Sequence, residues 1–249
     1  MGYFGAGRSI HISIGRILIL MSHAVANAAR LIAEPARAAM LVRLMGGRAV
    51  PAGELALTAH VSPQTASEHL ARLTEARFLT VQRIGRHRYY KLANEEVAYV
   101  VESLLVLSAP PAARAKPTPP PLGSLDYART CYAHLAGWAG VAITDALLRE
   151  GYLAPSGSTL FSVTDRGQAW FSQQGIAVPS VSKAAQSKFA RQCPDWTERR
   201  PHLAGTLGVA LYRRFAELGW IQETRKSRIV RITLEGRRGL AKHLHIAVG

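Results

Sequence analysis

The stretch Glu54–Leu92, ELALTAHVSPQTASEHLARLTEARFLTVQRIGRHRYYKL, decides how the first half of this 249-residue chain folds. Ser62 stands where a helix N-cap belongs and Pro63 where proline suits the first helical position, so a helix is predicted from Pro63 to about Ala76. Along it Ala66, Leu70 and Leu73 fall at i, i+4 and i+7 and form one apolar face. Gln64, Thr65, Ser67 and Glu68 are left pointing outward near its start. A short helix near Gly53 to Thr58 and a tight turn at Ala59 to Val61 come before it. Two short strand-like runs on either side of Gly85 come after it, as a hairpin requires.

Further out, SHAVANAARLIAEPARAAMLVRLMGG from Ser22 reads as two helices broken at Glu34-Pro35 and stopped at Gly46-Gly47. A helix from Asn94 to about Leu107 closes the unit. Helix, helix, short helix, tight turn, longer helix, basic hairpin, helix is the plan of a winged helix-turn-helix, here over 22–107. Short polar side chains at a helix start read base edges or meet phosphates near the positive end of the helix dipole. The candidate DNA contacts are therefore Ser62, Gln64, Thr65, Ser67, Glu68 and Arg72, with Arg83, Arg86 and Arg88 at the hairpin tip for phosphates. From Arg72 to Lys91 there are six basic residues against one acid, Glu75; a basic hairpin alone is weak evidence, and the weight falls on the coincidence of cap, turn, apolar stripe and wing in this order. His69, beside the apolar stripe, reads as a structural histidine.

Over roughly Ala28 to Leu107 the chain resembles the ArsR family of bacterial winged-helix transcription regulators. The resemblance implies a homodimer whose recognition helices enter the major groove of double-stranded DNA while the wings follow the backbone or minor groove. It also implies an effector that weakens the DNA complex, hence a repressor. Two family metal sites do not carry over. Glu54–Thr58 contains no thiol where many metal sensors have cysteines, and NEEVAYVVESLL (94–105) contains no histidine.

A net charge of +15 points to a polyanionic partner, with nucleic acid favoured and an anionic membrane surface as the rival. Only Cys131 and Cys193 are present, so no disulfide framework is expected and a reducing cytoplasm fits best. The early run ISIGRILIL is interrupted by Arg16 and is too short to span a bilayer. Residues 1–21 are therefore taken as an N-terminal extension, with Met21 an alternative start, and no membrane partner is expected.

Residues 108–124, SAPPAARAKPTPPPLGS, read as a semi-rigid proline-rich linker. Beyond it, HLAGWAGVAITDALLREGYL from His134 matches HLAGTLGVALYRRFAELGWI from His202 at eight of twenty positions. With one residue of drift, VTDRG (163–167) then matches ITLEG (232–236). The overall class expected is α+β, mainly α with small β-hairpins. A winged helix-turn-helix is followed by a duplicated effector or assembly domain, 125–249, made of two helix-hairpin-helix repeats at about 131–176 and 199–246.

Cys131 lies three residues before His134 and Cys193 nine before His202. The four supply either a soft-metal site, of cadmium or lead type, or a redox thiol pair. The unequal spacings and the habit of free cysteines to act as small core hydrophobes argue the other way. No cofactor is otherwise indicated, and the effector is unknown. Two further readings attach to this half: Trp138, Trp170, Trp196 and Trp220 lining an apolar effector pocket, and Arg225, Lys226, Arg228 and Arg231 forming a second DNA-touching wing. An enzyme is the different-class rival. No Gly-rich phosphate loop, HExxH or GxSxG supports it, and a cysteine with a nearby histidine is its only nucleophile-base pair. A protein-binding scaffold is opposed by the basic wing.

Overall fold

The computed structural model describes residues 8–108, 119–179, 189–224 and 227–247, with side chains from Ile17 onward. The chain divides into two compact units. One comprises the residues up to Val42 together with Val50–Ala93, and the other Arg43–Ala49 together with the residues from Asn94 on.

The first unit opens on α1 (Arg8–Ile32) and α2 (Pro35–Leu44). The helix expected from Ser22 thus begins further upstream, because nothing in the sequence breaks it before the Glu34-Pro35 step. There the Glu34 carboxylate accepts from the backbone N–H groups of Ala36 (3.1 Å) and Arg37 (2.8 Å), starting α2. No single described helix is long and apolar enough to cross a membrane. α1 and α2 pass that test only as a pair bent by 84°, on length and composition alone.

β1 (Val50–Pro51), α3 (Ala52–Thr58), α4 (Pro63–Glu75), β2 (Leu79–Ile84) and β3 (His87–Leu92) follow in the predicted order. The three strands form one antiparallel sheet, β1-β3-β2, and the β2–β3 register closes at Ile84↔His87 around Gly85, whose φ is +58°. Ala66, Leu70 and Leu73 are buried, as their spacing requires. They join Met40, Leu41, Leu55, Leu79 and Leu92 in the core of this unit.

In the second unit, α5 (Glu95–Ser108) buries Ala98, Val101 and Glu102. This helix, which closes the winged unit at residue 107 in the sequence, falls within the second compact unit. Most of the proline-rich segment lies outside the described residues.

The C-terminal region does not consist of helix-hairpin-helix repeats, because further strands precede each helix. The first copy is β4 (Arg129–Cys131), β5 (His134–Ala136), α6 (Gly137–Arg149), β6 (Leu153–Ser156), β7 (Leu160–Val163) and α7 (Asp165–Gln173). The second is β8 (Arg191–Pro194), β9 (Pro201–Ala204), α8 (Gly205–Glu217), β10 (Ile221–Glu223), β11 (Val230–Ile232) and α9 (Leu234–Leu244). His-Leu-Ala of each HLAG is an extended, fully buried strand, so it lacks the alternation that marks a half-exposed one. Its glycine turns the chain into the helix at φ +80° (Gly137) and +75° (Gly205).

β6-β7-β8-β9 form one sheet, while β4-β5 and β10-β11 are separate pairs. The VTDRG/ITLEG match marks two equivalent caps: Thr164 Oγ1 accepts from Gly167 N and Thr233 Oγ1 from Gly236 N, each at 2.9 Å. A single apolar core runs through both copies, including Leu135, Ile143, Phe161 and Phe171 from the first and Leu203, Leu211, Phe215 and Leu240 from the second.

Candidate nucleic-acid interface and buried Cys-His cluster

Ser62 caps α4, its Oγ accepting from Thr65 N at 3.1 Å, with Thr65 Oγ1 2.9 Å away. Ser67 hydrogen-bonds back to the Pro63 carbonyl (2.9 Å). Ser62, Gln64, Ser67, Glu68 and Arg72 are exposed and Thr65 half-exposed, so the predicted set shares one solvent face of the helix. At the hairpin Arg83, Arg86 and Arg88 are all exposed, with Arg83 and Arg88 paired across the strands. His69 is a packed residue: its Nδ1 lies 3.3 Å from an Arg37 guanidinium nitrogen and its Nε2 3.6 Å from Glu34.

In the second unit Cys131, His134, Cys193 and His202 meet. In the two hairpins Cys131 pairs with His134 and Cys193 with His202 as cross-strand partners. One ligand atom from each of the four lies within 4.8 Å of all the others. The sulfurs are 3.9 Å apart and the two Nε2 atoms 3.1 Å apart. All four side chains are buried, none more than 3% exposed. Helix α6 crosses the second histidine and α8 the first: a Cβ on Gly140 would sit 3.6 Å from His202 Cβ, and one on Gly208 3.4 Å from His134 Cβ.

Sequence reading missed the charged shell around this cluster. Asp195 Oδ2 is 3.1 Å from His202 Nδ1 and accepts from Gly137 N at 2.7 Å. Its Oδ1 takes Arg129 (2.9 Å), Thr197 N and Glu198 N. Arg129 also donates to Glu102 (3.1 Å), and Glu102 lies 3.8 Å from the Cys131 sulfur. Arg129, Glu102 and Asp195 are wholly buried, which for charged side chains demands pairing.

Burial opposes charge on Asp195, but His202 and Arg129 hold its carboxyl well below the usual range. Burial likewise opposes charge on His202, yet Asp195 and Cys131 push it up to about 9. The Cys193 thiol beside it, with His134, pulls Cys131 well below an ordinary thiol in spite of burial. Cys193 is driven up by the same pairing and by burial. Burial and the Cys131 sulfur raise Glu102 to about 7 against the pull of Arg129 and Arg228.

Two expectations for this half change. Arg228 is not part of a basic DNA-touching hairpin: it is only 8% exposed, and its Nε donates to the Thr130 carbonyl at 3.0 Å. Arg231 is exposed, and Arg225 and Lys226 lie outside the described residues. None of the four tryptophans lines the small cavity beside α6 and α8, which is bounded by Leu135, Ile143, Leu203, Leu211, Tyr212 and Phe215 among others. Trp170 and Trp220 stack instead on Tyr152 (4.9 Å) and Phe215 (5.1 Å), and Trp196 carries the Arg129 guanidinium at 5.0 Å.

Residues 32–82 match the family described as a helix-turn-helix domain. Over 228 residues, 92% of this chain and 100% of the relative, the sequence is 40% identical to a protein of Bacillus subtilis (strain 168) named "Uncharacterized HTH-type transcriptional regulator YdfF". Among solved structures, the homodimeric winged helix-turn-helix DNA-binding domain Mb0332 from Mycobacterium bovis is 25% identical, with a TM-score of 0.35, covering 42% of this chain and 90% of that one. The cadmium metal-sensor CMTR from Mycobacterium tuberculosis is 25% identical, with a TM-score of 0.28, covering 40% of this chain and 99% of that one.

Proposed function

This chain belongs to the HTH-type transcriptional regulators, and we propose that it is a repressor that holds paired DNA half-sites as a homodimer and releases them when an effector binds. The observation that carries the reading is the joint exposure, in one unit, of the capped start of α4 and the arginine-bearing wing. The former offers side chains of base-reading length, and the latter offers cations to phosphates on either side.

A homodimer follows from the geometry of such readers, whose two recognition helices address half-sites about one helical turn apart. It is also supported by α1, where Ile17, Leu18, Ile19, Leu20, Met21 and Val25 are each more than half exposed, apolar surface that a second copy would cover. The effector is assigned to the second unit, because the positions that bind metal in many ArsR-type sensors hold neither thiol nor histidine here. Catalysis has no place in this reading. Cys131 with His134, the closest approach to a nucleophile-base pair, is sealed from substrate by burial.

The test is fluorescence anisotropy of the full chain on duplexes from its own upstream region. Sequence-selective binding that weakens steeply with salt is expected. Binding that ignores salt, or no preference for any duplex over bulk DNA, would overturn the proposal.

A further inference from the structure

We propose that Cys131, His134, Cys193 and His202 form a four-coordinate site for a thiophilic divalent cation of the zinc class, one Cys and one His coming from each copy of the duplicated unit. The proposal stands on the second unit alone and does not depend on DNA binding.

Geometry is the first argument. With sulfur at about 2.3 Å and imidazole nitrogen at about 2.05 Å, a tetrahedral zinc site sets its sulfurs about 3.8 Å apart and its nitrogens about 3.3 Å apart. The observed separations are 3.9 Å and 3.1 Å. Both sit within a few tenths of an ångström of the ideal edges, and the nitrogens are Nε2 on both rings. The remaining sulfur–nitrogen edges, all within 4.8 Å, must close by at most about 1.3 Å to reach the tetrahedral value of about 3.5 Å.

The surroundings are the second argument. A metal-bound imidazole is ordinarily oriented by a hydrogen bond from its other nitrogen to a carboxylate. Asp195 stands 3.1 Å from His202 Nδ1 and is itself fixed by Arg129, Gly137 N, Thr197 N and Glu198 N. His202 thus presents Nε2 to the cluster with its Nδ1 toward this carboxylate.

Charge is the third argument. The buried shell pairs two guanidiniums, Arg129 and Arg228, with two carboxyl groups, Asp195 and Glu102, so the charge of an added ion must be met by its own ligands. A divalent ion on two thiolates and two neutral imidazoles meets that condition, two protons leaving the four ligands for solvent as it binds. Four protein ligands fill the tetrahedron and leave no open coordination position, which marks a structural rather than a catalytic ion. Such an ion would clamp the two hairpins to each other.

Full-length protein, stripped with a chelator under reductant, is titrated with cobalt(II) and then back-titrated with zinc(II). One cobalt per chain is expected, with the intense visible bands of a tetrahedral ion, thiolate charge-transfer absorption, and displacement by one equivalent of zinc. Asp195→Asn should keep the 1:1 stoichiometry and lower affinity about 10–100-fold. Cys131→Ser should lose the charge-transfer intensity of one thiolate. The wild-type spectrum itself reports ligand number and type, so the test survives a variant that fails to fold. The proposal is overturned by a folded wild-type chain that gives only octahedral cobalt. It is equally overturned by a spectrum unchanged in Cys131→Ser/Cys193→Ser, or by a Cys131–Cys193 disulfide that persists in protein purified under reductant.

Discussion

Replacing Gly140 by alanine tests whether the two copies are locked together as described. On helix propensity alone, a glycine-to-alanine change inside a helix stabilises by about 1 kcal/mol. At Gly140, however, the new Cβ would lie 2.5 Å from the Leu135 carbonyl oxygen and 3.6 Å from His202 Cβ. The first of these is backbone and cannot rotate aside, so α6 or β5 must shift. Overpacking of this kind costs about 1–3 kcal/mol, which outweighs the propensity gain at the middle of that range and above. We expect Gly140→Ala to destabilise the second unit by about 1 kcal/mol net, and Gly208→Ala, at 2.6 Å from the Leu203 carbonyl oxygen, to behave alike. Gly53→Ala is the helical comparison in the first unit, read by far-ultraviolet circular dichroism: nothing lies within 4 Å of its added Cβ, and about 0.5–1 kcal/mol of stabilisation is expected. All four tryptophans lie in the second unit, so tryptophan fluorescence in a urea titration follows that unit directly. The reasoning fails if Gly140→Ala shifts the fluorescence midpoint upward or leaves it in place.

Converting Arg83, Arg86 and Arg88 together to alanine should reduce the slope of log K against log salt by about 0.9 per lost phosphate contact, read by anisotropy at several salt concentrations. An unchanged slope would mean the wing does not meet phosphate. Arg129→Met leaves the buried Asp195 and Glu102 carboxylates without their shared guanidinium and should cost about 3–5 kcal/mol in chemical denaturation. A loss under 1 kcal/mol would show that the network contributes little. Burial pushes Tyr127 and Tyr212 up to about 12 from 10, against the pull of Arg237 and Arg48 respectively. The folded state therefore keeps these phenol protons after the unfolded chain has lost its own. Their contribution to stability is complete below pH 10 and declines from there to about pH 12, which denaturation midpoints across that window will show. Ultraviolet titration should find two phenols ionising late, and all eight titrating together near pH 10 would contradict it.

The winged unit was legible because each of its signals is local. Ser62-Pro63 starts α4, the 66/70/73 spacing buries its face, and Gly85 turns the hairpin. The upstream limit of α1 and the affiliation of α5 were less so, since a run without proline has no marked start and a helix's own sequence does not say which core it joins. In the second unit the duplication was visible, but the strand character of both HLA segments was not. A strand buried on both faces has no period-two signature. Arg129, Glu102 and Asp195 carried no signal at all, because they are separated by tens of residues and meet only through the fold. Arg228 was misread for a related reason: in sequence a buried, paired arginine and a surface one look the same.

The unequal spacing of the two Cys-His pairs, which counted against a shared site, is where local and global information part company. A metal ligand set depends on register, not on the number of residues in the turn. Cys131 and His134 face each other across a two-residue turn, and Cys193 and His202 stand one pair back from a six-residue one (195–200), yet in both hairpins cysteine and histidine are direct cross-strand partners. The extra residues of the second turn have a structural role of their own. They place the Asp195 carboxylate 3.1 Å from His202 Nδ1 and wrap Thr197 N and Glu198 N around it, although neither His202 Nδ1 nor His134 Nδ1 makes a well-directed hydrogen bond among the described residues. The duplication thus supplied two equivalent ligand pairs, and the longer turn set a buried carboxylate beside one of the two imidazoles. That asymmetry predicts the order of loss: Asp195→Asn should broaden the ¹H–¹⁵N resonances of the His202 ring before those of His134. Equal broadening of both rings would show that Asp195 does not hold His202 in place.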